Sequence, residues 1–214
     1  LPREVLVERA HKLIGDEAPI ESELEGLLAE GRLLEDEGIY LTFVHELEVE
    51  LAERIQELTG QPIPMSGTDT SMIESQLGIR LADAQRAALN LALTESMMVL
   101  TGGPGTGKTT TVQAILRALR SDGDEVVLAA PTGRAARRLS EATGATATTI
   151  HRLLGYHPVE GFRHNDEEPL DASAVVVDEA SMLDQSLAVA LLRALKPGTR
   201  LILVGDADQL PSVG

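Results

Sequence analysis

The 214-residue chain has no cysteine and no tryptophan, and only two tyrosines and two phenylalanines. Without cysteine, disulfides and thiolate metal sites are excluded, and a reducing compartment such as the cytoplasm is the natural setting. With aromatics at 2%, the core must be built from Leu, Val, Ile and Ala. No apolar run approaches the ~20 residues that a membrane span requires, so no membrane partner is expected, and no signal-peptide pattern opens the chain. Its first residue is Leu1 rather than Met, so a piece of a longer protein is expected. Basic residues are also scarce, 18 Lys and Arg against 34 Asp and Glu for a net charge of −16. A surface of that sign repels phosphate backbones and argues at first against a nucleic-acid partner. The charge is unevenly spread, however. Residues 1–79 hold 5 basic and 18 acidic side chains, net −13, whereas residues 80–214 hold 13 and 16, net −3. The second part can therefore keep a local basic strip.

What is present falls into two regions. Residues 3–14 predict a short helix, and Pro19-Ile20-Glu21 opens a second that Gly31 stops. Arg32 to Leu41 then reads as a β-hairpin with Gly38 at the turn. Helix, helix, hairpin is the order of a winged-helix unit, although the net −7 of residues 1–41 favours a packing module over a DNA reader. Phe43, Leu47, Leu51, Ile55 and Leu58 recur at helical spacing and predict a helix over 43–58. Gly60 to Thr70 is rich in Gly, Pro, Ser and Thr and reads as a linker. The expected domains are a helical, winged-helix-like region at 1–59, a linker with a short helix at 60–79, and an α/β domain at 80–214. In that last region apolar strands at 97–100, 125–129, 173–177 and 200–204 alternate with helices. Continuously apolar strands of this kind predict a parallel sheet covered on both faces, with its site at the C-terminal ends of the strands.

Four of five candidate motifs follow directly on such a strand. Gly102, Gly107, Lys108 and Thr109 fit G-x-x-x-x-G-K-[ST], a loop whose backbone N–H groups curl inward around phosphate oxygens. Gly103, Pro104, Gly105, Thr106, Gly107, Lys108, Thr109 and Thr110 are the candidate nucleotide-binding residues. Lys108 would reach the β- and γ-phosphates, and the Thr109 hydroxyl would face Mg²⁺. In Val175 to Asp184 an apolar strand delivers Asp178, to hold Mg²⁺, and Glu179, to take the proton from an attacking water. Ser181 has no nucleophile elbow or His–Asp relay around it and reads as local structure. In Leu201 to Gly214, Gln209 can donate its amide to a γ-phosphate oxygen; a polar turn explains the same residues. In Leu128 to Glu141, Thr132 can cap a helix whose Arg134, Arg137 and Arg138 share one face, suited to nucleic-acid phosphates or to plain solvation. Gln85, one helix before the first strand, could read an adenine edge. His157 and His164 lie in a polar loop with no third ligand nearby and do not form a metal pattern.

Taken in order, these segments resemble the first motor domain of a superfamily 1 DNA helicase. LADAQRAAL resembles the Q motif, GGPGTGKTT motif I, APTGRAARRL motif Ia, VVVDEASM motif II and VGDADQLPSVG motif III. APTGRAA, TTIHRLLG and DEASM bring the likeness closest to the RecD-like branch, in its free-standing form without RecB and RecC partners. The likeness is strong over 80–214 and looser over 1–79.

The resemblance implies a RecA-like P-loop fold and ATP-driven movement 5′ to 3′ along single-stranded DNA by a monomer. It implies Lys108 on phosphates, Thr109 and Asp178 on Mg²⁺, Glu179 activating water, Gln209 sensing the γ-phosphate and Gln85 on adenine. Pro131, Thr132 and Arg134 would lie along the DNA, with His151 as a further DNA-side candidate or, equally, a helix-cap histidine. A second RecA-like domain, with motifs IV to VI and the arginine that completes the ATP site, would follow Gly214. Two other readings share these residues. One is the motor of a conjugative relaxase–helicase; the other is a nucleotide-gated DNA-binding module without translocation.

Overall fold

The structure, a computed structural model, describes residues 1–15, 17–63, 67–103 and 105–206. Its elements run α1 (Arg3–Ile14), α2 (Ile20–Ala29), β1 (Leu33–Glu35), β2 (Ile39–Leu41), α3 (Thr42–Gly60), α4 (Thr70–Leu77), α5 (Asp83–Thr94), β3 (Met97–Thr101), α6 (Lys108–Ser121), β4 (Val126–Ala130), α7 (Gly133–Thr143), β5 (Ala147–Thr149), α8 (Ile150–Leu153), β6 (Tyr156–His157), β7 (Gly161–Phe162), β8 (Ala174–Val177), a 3₁₀ turn (Ala180–Met182), α9 (Gln185–Arg193) and β9 (Arg200–Gly205). The chain divides into two compact units, Leu1–Ala52 and Glu53–Gly214. The division falls within α3, ahead of the linker at 60.

In the first unit the expected helix, helix, hairpin order is present. β1 and β2 pair antiparallel, Leu33 opposite Leu41 and Glu35 opposite Ile39. The left-handed turn residue is Glu37, at φ +51°, rather than Gly38. Gly38 serves a different need, because a Cβ there would sit 3.1 Å from the Leu1 carbonyl oxygen. Leu1 lies alongside the hairpin, its carbonyl accepting from Ile39 N–H at 2.7 Å.

In the second unit five parallel strands stand in the order β3-β9-β8-β4-β5. Their sequences explain the burial. β8 is Ala-Val-Val-Val with every residue buried, as a strand covered on both faces must be. Alternate residues point to opposite faces. Met98, Leu128, Val176 and Ile202 join one core with Ile73 of α4, Leu89 and Leu93 of α5, and Val112, Ile115, Leu116 and Leu119 of α6. Their neighbours Val175, Val177 and Leu201 are equally buried. Each such aliphatic side chain contributes about 1.5–3 kcal/mol by leaving water. α4 is fixed to α5 by Glu74, which accepts from Leu81 N–H at 2.7 Å and from Arg86 at 2.8 Å. The last turns of α3 belong to this unit. Leu58 is buried, and Arg54 clasps both carboxylate oxygens of Asp166 in the loop after β7.

Registry places the functional edge. Thr101 of β3 pairs with Gly205 of β9, and Val177 of β8 with Leu203. The C-terminal ends of β3 and β8 therefore flank the end of β9. Beyond β8, β4 runs alongside, Ala129 opposite Val177. Among the described residues no helix is long and apolar enough to cross a membrane.

Candidate nucleotide site and its neighbourhood

β3 ends at Thr101 and the chain turns through the glycine loop into α6. Two glycines there carry positive φ, Gly105 at +76° and Gly107 at +83°, backbone that glycine adopts without the cost other residues incur. Gly102 allows a close approach instead, since a Cβ on it would lie 2.7 Å from Thr106 Oγ1 and the hydroxyl would have to move. That hydroxyl donates across the loop to the Gly103 carbonyl at 2.9 Å. At the loop's exit α6 presents the N–H groups of its first turn and the positive end of its dipole. Thr111 is buried, and its hydroxyl donates to the Gly107 carbonyl at 3.1 Å. It anchors the loop to the helix, a role the sequence motif does not specify. Thr109 is exposed, and Thr110 is half-buried.

Lys108 folds back over the loop. Its ammonium donates to the carbonyl of Gly102 and, at 3.0 Å, to that of Gly103. The ammonium is thus held over the cradle's mouth by neutral carbonyls, which an anionic phosphate oxygen can displace because it adds the attraction of an opposite charge. Gln85 also reaches the loop. Its Oε1 accepts from Ala82 N–H at 2.9 Å, and its Nε2 donates to the Gly107 carbonyl at 3.3 Å. The first turn of α5 is thereby tied to the loop, and both ends of the Gln85 amide are occupied within the chain.

Across β9, Asp178 stands at the end of β8. Its N–H donates to the Ala129 carbonyl of β4 at 3.0 Å. Burial pushes its carboxyl above the usual aspartate range, opposed by the Glu179 N–H that it accepts, with the Glu179 charge adding to the rise and the Lys108 charge lowering it. A half-buried carboxylate with a like charge beside it, offset only in part by the Lys108 charge, presents the hard oxygen donors that a divalent cation takes. A carboxylate and a hydroxyl are oxygen donors of the kind Mg²⁺ takes, so Asp178 and Thr109 are the residues that would hold it. Glu179 follows in left-handed backbone, φ +54° and ψ +38°, which costs an L residue roughly 1–2 kcal/mol. The turn is capped by Met182 N–H on the Glu179 carbonyl. Within it the Ser181 hydroxyl is buried and unpartnered among the described residues.

One strand further, β4 ends and Thr132 starts α7. The Thr132 hydroxyl accepts from Ala135 N–H at 3.2 Å, the expected cap. Pro131 is half-buried beside it, and Arg134, Arg137 and Arg138 are all exposed. Arg137 is engaged by Glu141 at 2.9 Å. His151 lies in α8 rather than at its cap, which Thr149 supplies by accepting from Arg152 N–H.

The structure thus brings Lys108, Gln85 and the loop glycines together, sets Asp178 within electrostatic reach of Lys108, and holds Glu179 next to it. Pro131, Thr132, Arg134 and His151 lie on the adjoining β4–α7 and α8 segments. Gln209 and Pro104 fall outside the described residues.

Residues 85–214 match the model of a family described as an AAA domain. The ATP-dependent RecD2 DNA helicase of Deinococcus radiodurans is 44% identical over 203 residues, covering 94% of this chain and 27% of that protein. The RecBCD enzyme subunit RecD of Mycolicibacterium smegmatis is 46% identical over 156 residues, covering 61% of this chain and 28% of that subunit. The ATP-dependent DNA helicase dda of Enterobacteria phage T4 is 34% identical over 145 residues, covering 62% of this chain and 33% of that protein. The chain spans about a quarter to a third of the length of these relatives.

Proposed function

This chain belongs to the AAA domain family, and on that premise we propose that it is the ATP-binding part of a DNA helicase that hydrolyses ATP with Mg²⁺ and moves 5′ to 3′ along single-stranded DNA. The observation that carries the reading is that Lys108, at the start of α6 after β3, lies within electrostatic reach of Asp178, at the end of β8, in a chain similar to two proteins named as DNA helicases and to a RecBCD subunit. The bounds 1–59, 60–79 and 80–214 divide the chain into front region, linker with helix, and motor.

In this reading the N–H groups of residues 103 and 105–110 wrap the phosphates. Lys108 leaves the Gly102 and Gly103 carbonyls for the β- and γ-phosphates. Gln85 turns from Gly107 towards the adenine edge, so nucleotide entry is felt at both ends of the loop. Thr109 and Asp178 hold Mg²⁺, which when bound shares the phosphate charge. Glu179 accepts the proton of the attacking water, and Gln209 contacts the γ-phosphate. Pro131, Thr132, Arg134 and His151 line the DNA path, with β4 linking that path to Asp178 through the Ala129 carbonyl. A second RecA-like domain of the same protein closes over the nucleotide, and the protein works as a monomer in the cytoplasm. The test is unwinding of duplexes carrying a single-stranded tail on one end only. The full-length protein should open the 5′-tailed duplex with ATP and leave the 3′-tailed one closed; the reverse preference would refute the assigned direction.

A further inference from the structure

The first unit has little core for its size. Among its described residues only Leu24 and Ile39 are buried apolar side chains, and a domain of ~60 residues is already marginal with a complete core. In place of a core it has an open groove of about 510 Å³ whose lining is almost wholly apolar. α1 contributes Leu6, Ala10 and Ile14, at i, i+4 and i+8, and α2 contributes Ile20, Leu24 and Leu27, at i, i+4 and i+7. Each set is one face of its helix. Tyr40 and Leu41 of β2 add to the lining, and Ile14 and Leu41 keep 68% and 52% of their surface exposed. A small-molecule site would carry several placed polar groups, whereas Glu23 is the one charged residue of this lining among the described residues. Two helical stripes facing one groove are instead what the ridge of a third helix packs into. The α1 stripe spans eight residues, on the order of 12 Å, so two to three turns cover it.

Charge and backbone geometry specify that helix further. Glu17 and Glu21 stand beside the α2 lining and are exposed, and residues 1–41 carry net −7. Arg3, Lys12 and Arg32 are each already engaged by glutamates. The complementary helix therefore carries Lys or Arg beside its apolar stripe. Leu1 and Ile39 exchange both backbone hydrogen bonds, the Leu1 nitrogen donating to the Ile39 carbonyl at 3.1 Å and the Ile39 N–H to the Leu1 carbonyl at 2.7 Å. That is a hydrogen-bonded antiparallel pair. A chain continuing this strand ahead of Leu1 runs past Tyr40 and Leu41, and so arrives at the groove.

We propose that this groove is the docking site of an amphipathic, basic-flanked helix of the same protein, lying immediately ahead of Leu1, and that the first unit is complete only with it. The full-length protein tests this in two ways. With Glu21 replaced by the photo-crosslinker p-benzoylphenylalanine, at the rim so that the groove itself is unchanged, irradiation and peptide mass spectrometry should join position 21 to a peptide ahead of Leu1. In a mixture of ¹⁴N- and ¹⁵N-labelled protein the crosslinked pairs should be all light or all heavy. In separate variants, alkylation by iodoacetamide, read by mass at the substituted position, should be at least about ten-fold slower for Ile14→Cys than for Leu13→Cys, its neighbour outside the groove. Pairs joining light to heavy protein would seat a second copy in the groove, and crosslinks to any other segment would seat that segment; either overturns the proposal. Equal alkylation of the two cysteines would leave the groove open to solvent and overturn it as well.

Discussion

Glu179 offers the sharpest separation of stability from chemistry. Its φ of +54° costs an L residue roughly 1–2 kcal/mol. Glycine adopts the same backbone freely but loses about 0.5–1 kcal/mol of chain entropy on ordering. Glu179→Gly should therefore gain about 0.5–1 kcal/mol, or about 1–4 °C in Tm at roughly 2–4 °C per kcal/mol for a unit of this size. Removing the charge next to Asp178 acts in the same direction. Glu179→Ala separates the two contributions, because alanine loses the charge while keeping the strained backbone. Scanning calorimetry of the nucleotide-free protein should rank Glu179→Gly above Glu179→Ala. ATP turnover should fall by about 10²–10⁴-fold in both, the usual contribution of a general base. If Glu179→Ala proves at least as stable as Glu179→Gly, the strain argument is wrong.

Three further outcomes follow from the same geometry. Lys108→Ala removes charge-assisted bonds worth about 1.5–3 kcal/mol, so calorimetric titration should show ATP affinity falling by about ten- to a hundred-fold. Asp178 is raised by burial, so the folded state holds its proton more tightly than the unfolded chain, and stability falls as pH rises from the ordinary aspartate range through the raised value. Asp178→Asn should therefore melt higher than wild type at neutral pH without nucleotide, with the gap closing below about pH 4, while Mg²⁺-dependent turnover is lost; a gap independent of pH would contradict this. Thr132→Ala removes the cap of α7 and should cost about 1 kcal/mol, seen as a fall in Tm of about 2–4 °C.

The parallel sheet was legible because Val175–Val177 of β8 and Leu201–Val204 of β9 are continuous apolar runs alternating with helices. The phosphate loop was legible because two glycines, Gly102 and Gly107, stand at fixed spacing before Lys108 and Thr109. β5 was not, since Ala147-Thr148-Thr149 is three residues long and half-buried throughout; it exists because β4 offers an edge to pair with. The β6–β7 hairpin has two residues per strand and no periodicity to detect. Its turn signal, His-Pro-Val-Glu, was present, but the contact of Tyr156 and Phe162 with His151 depends on tertiary placement. Glu179 shows a different limit. Its position after Asp178 marked it as the base, yet nothing in Asp-Glu-Ala-Ser announces left-handed backbone at a glutamate. Gln85 carried little weight as an isolated glutamine and gains it from its bond to the Gly107 carbonyl, 22 residues away in sequence.

The central claim is that the edge formed by Lys108, Asp178 and Glu179 drives movement on DNA. Steady-state ATP hydrolysis by the full-length protein, with and without single-stranded DNA, tests it most directly. The account predicts hydrolysis that rises on adding the strand and is abolished in Glu179→Gln with ATP binding retained. Hydrolysis indifferent to DNA, or unchanged turnover in Glu179→Gln, would contradict it.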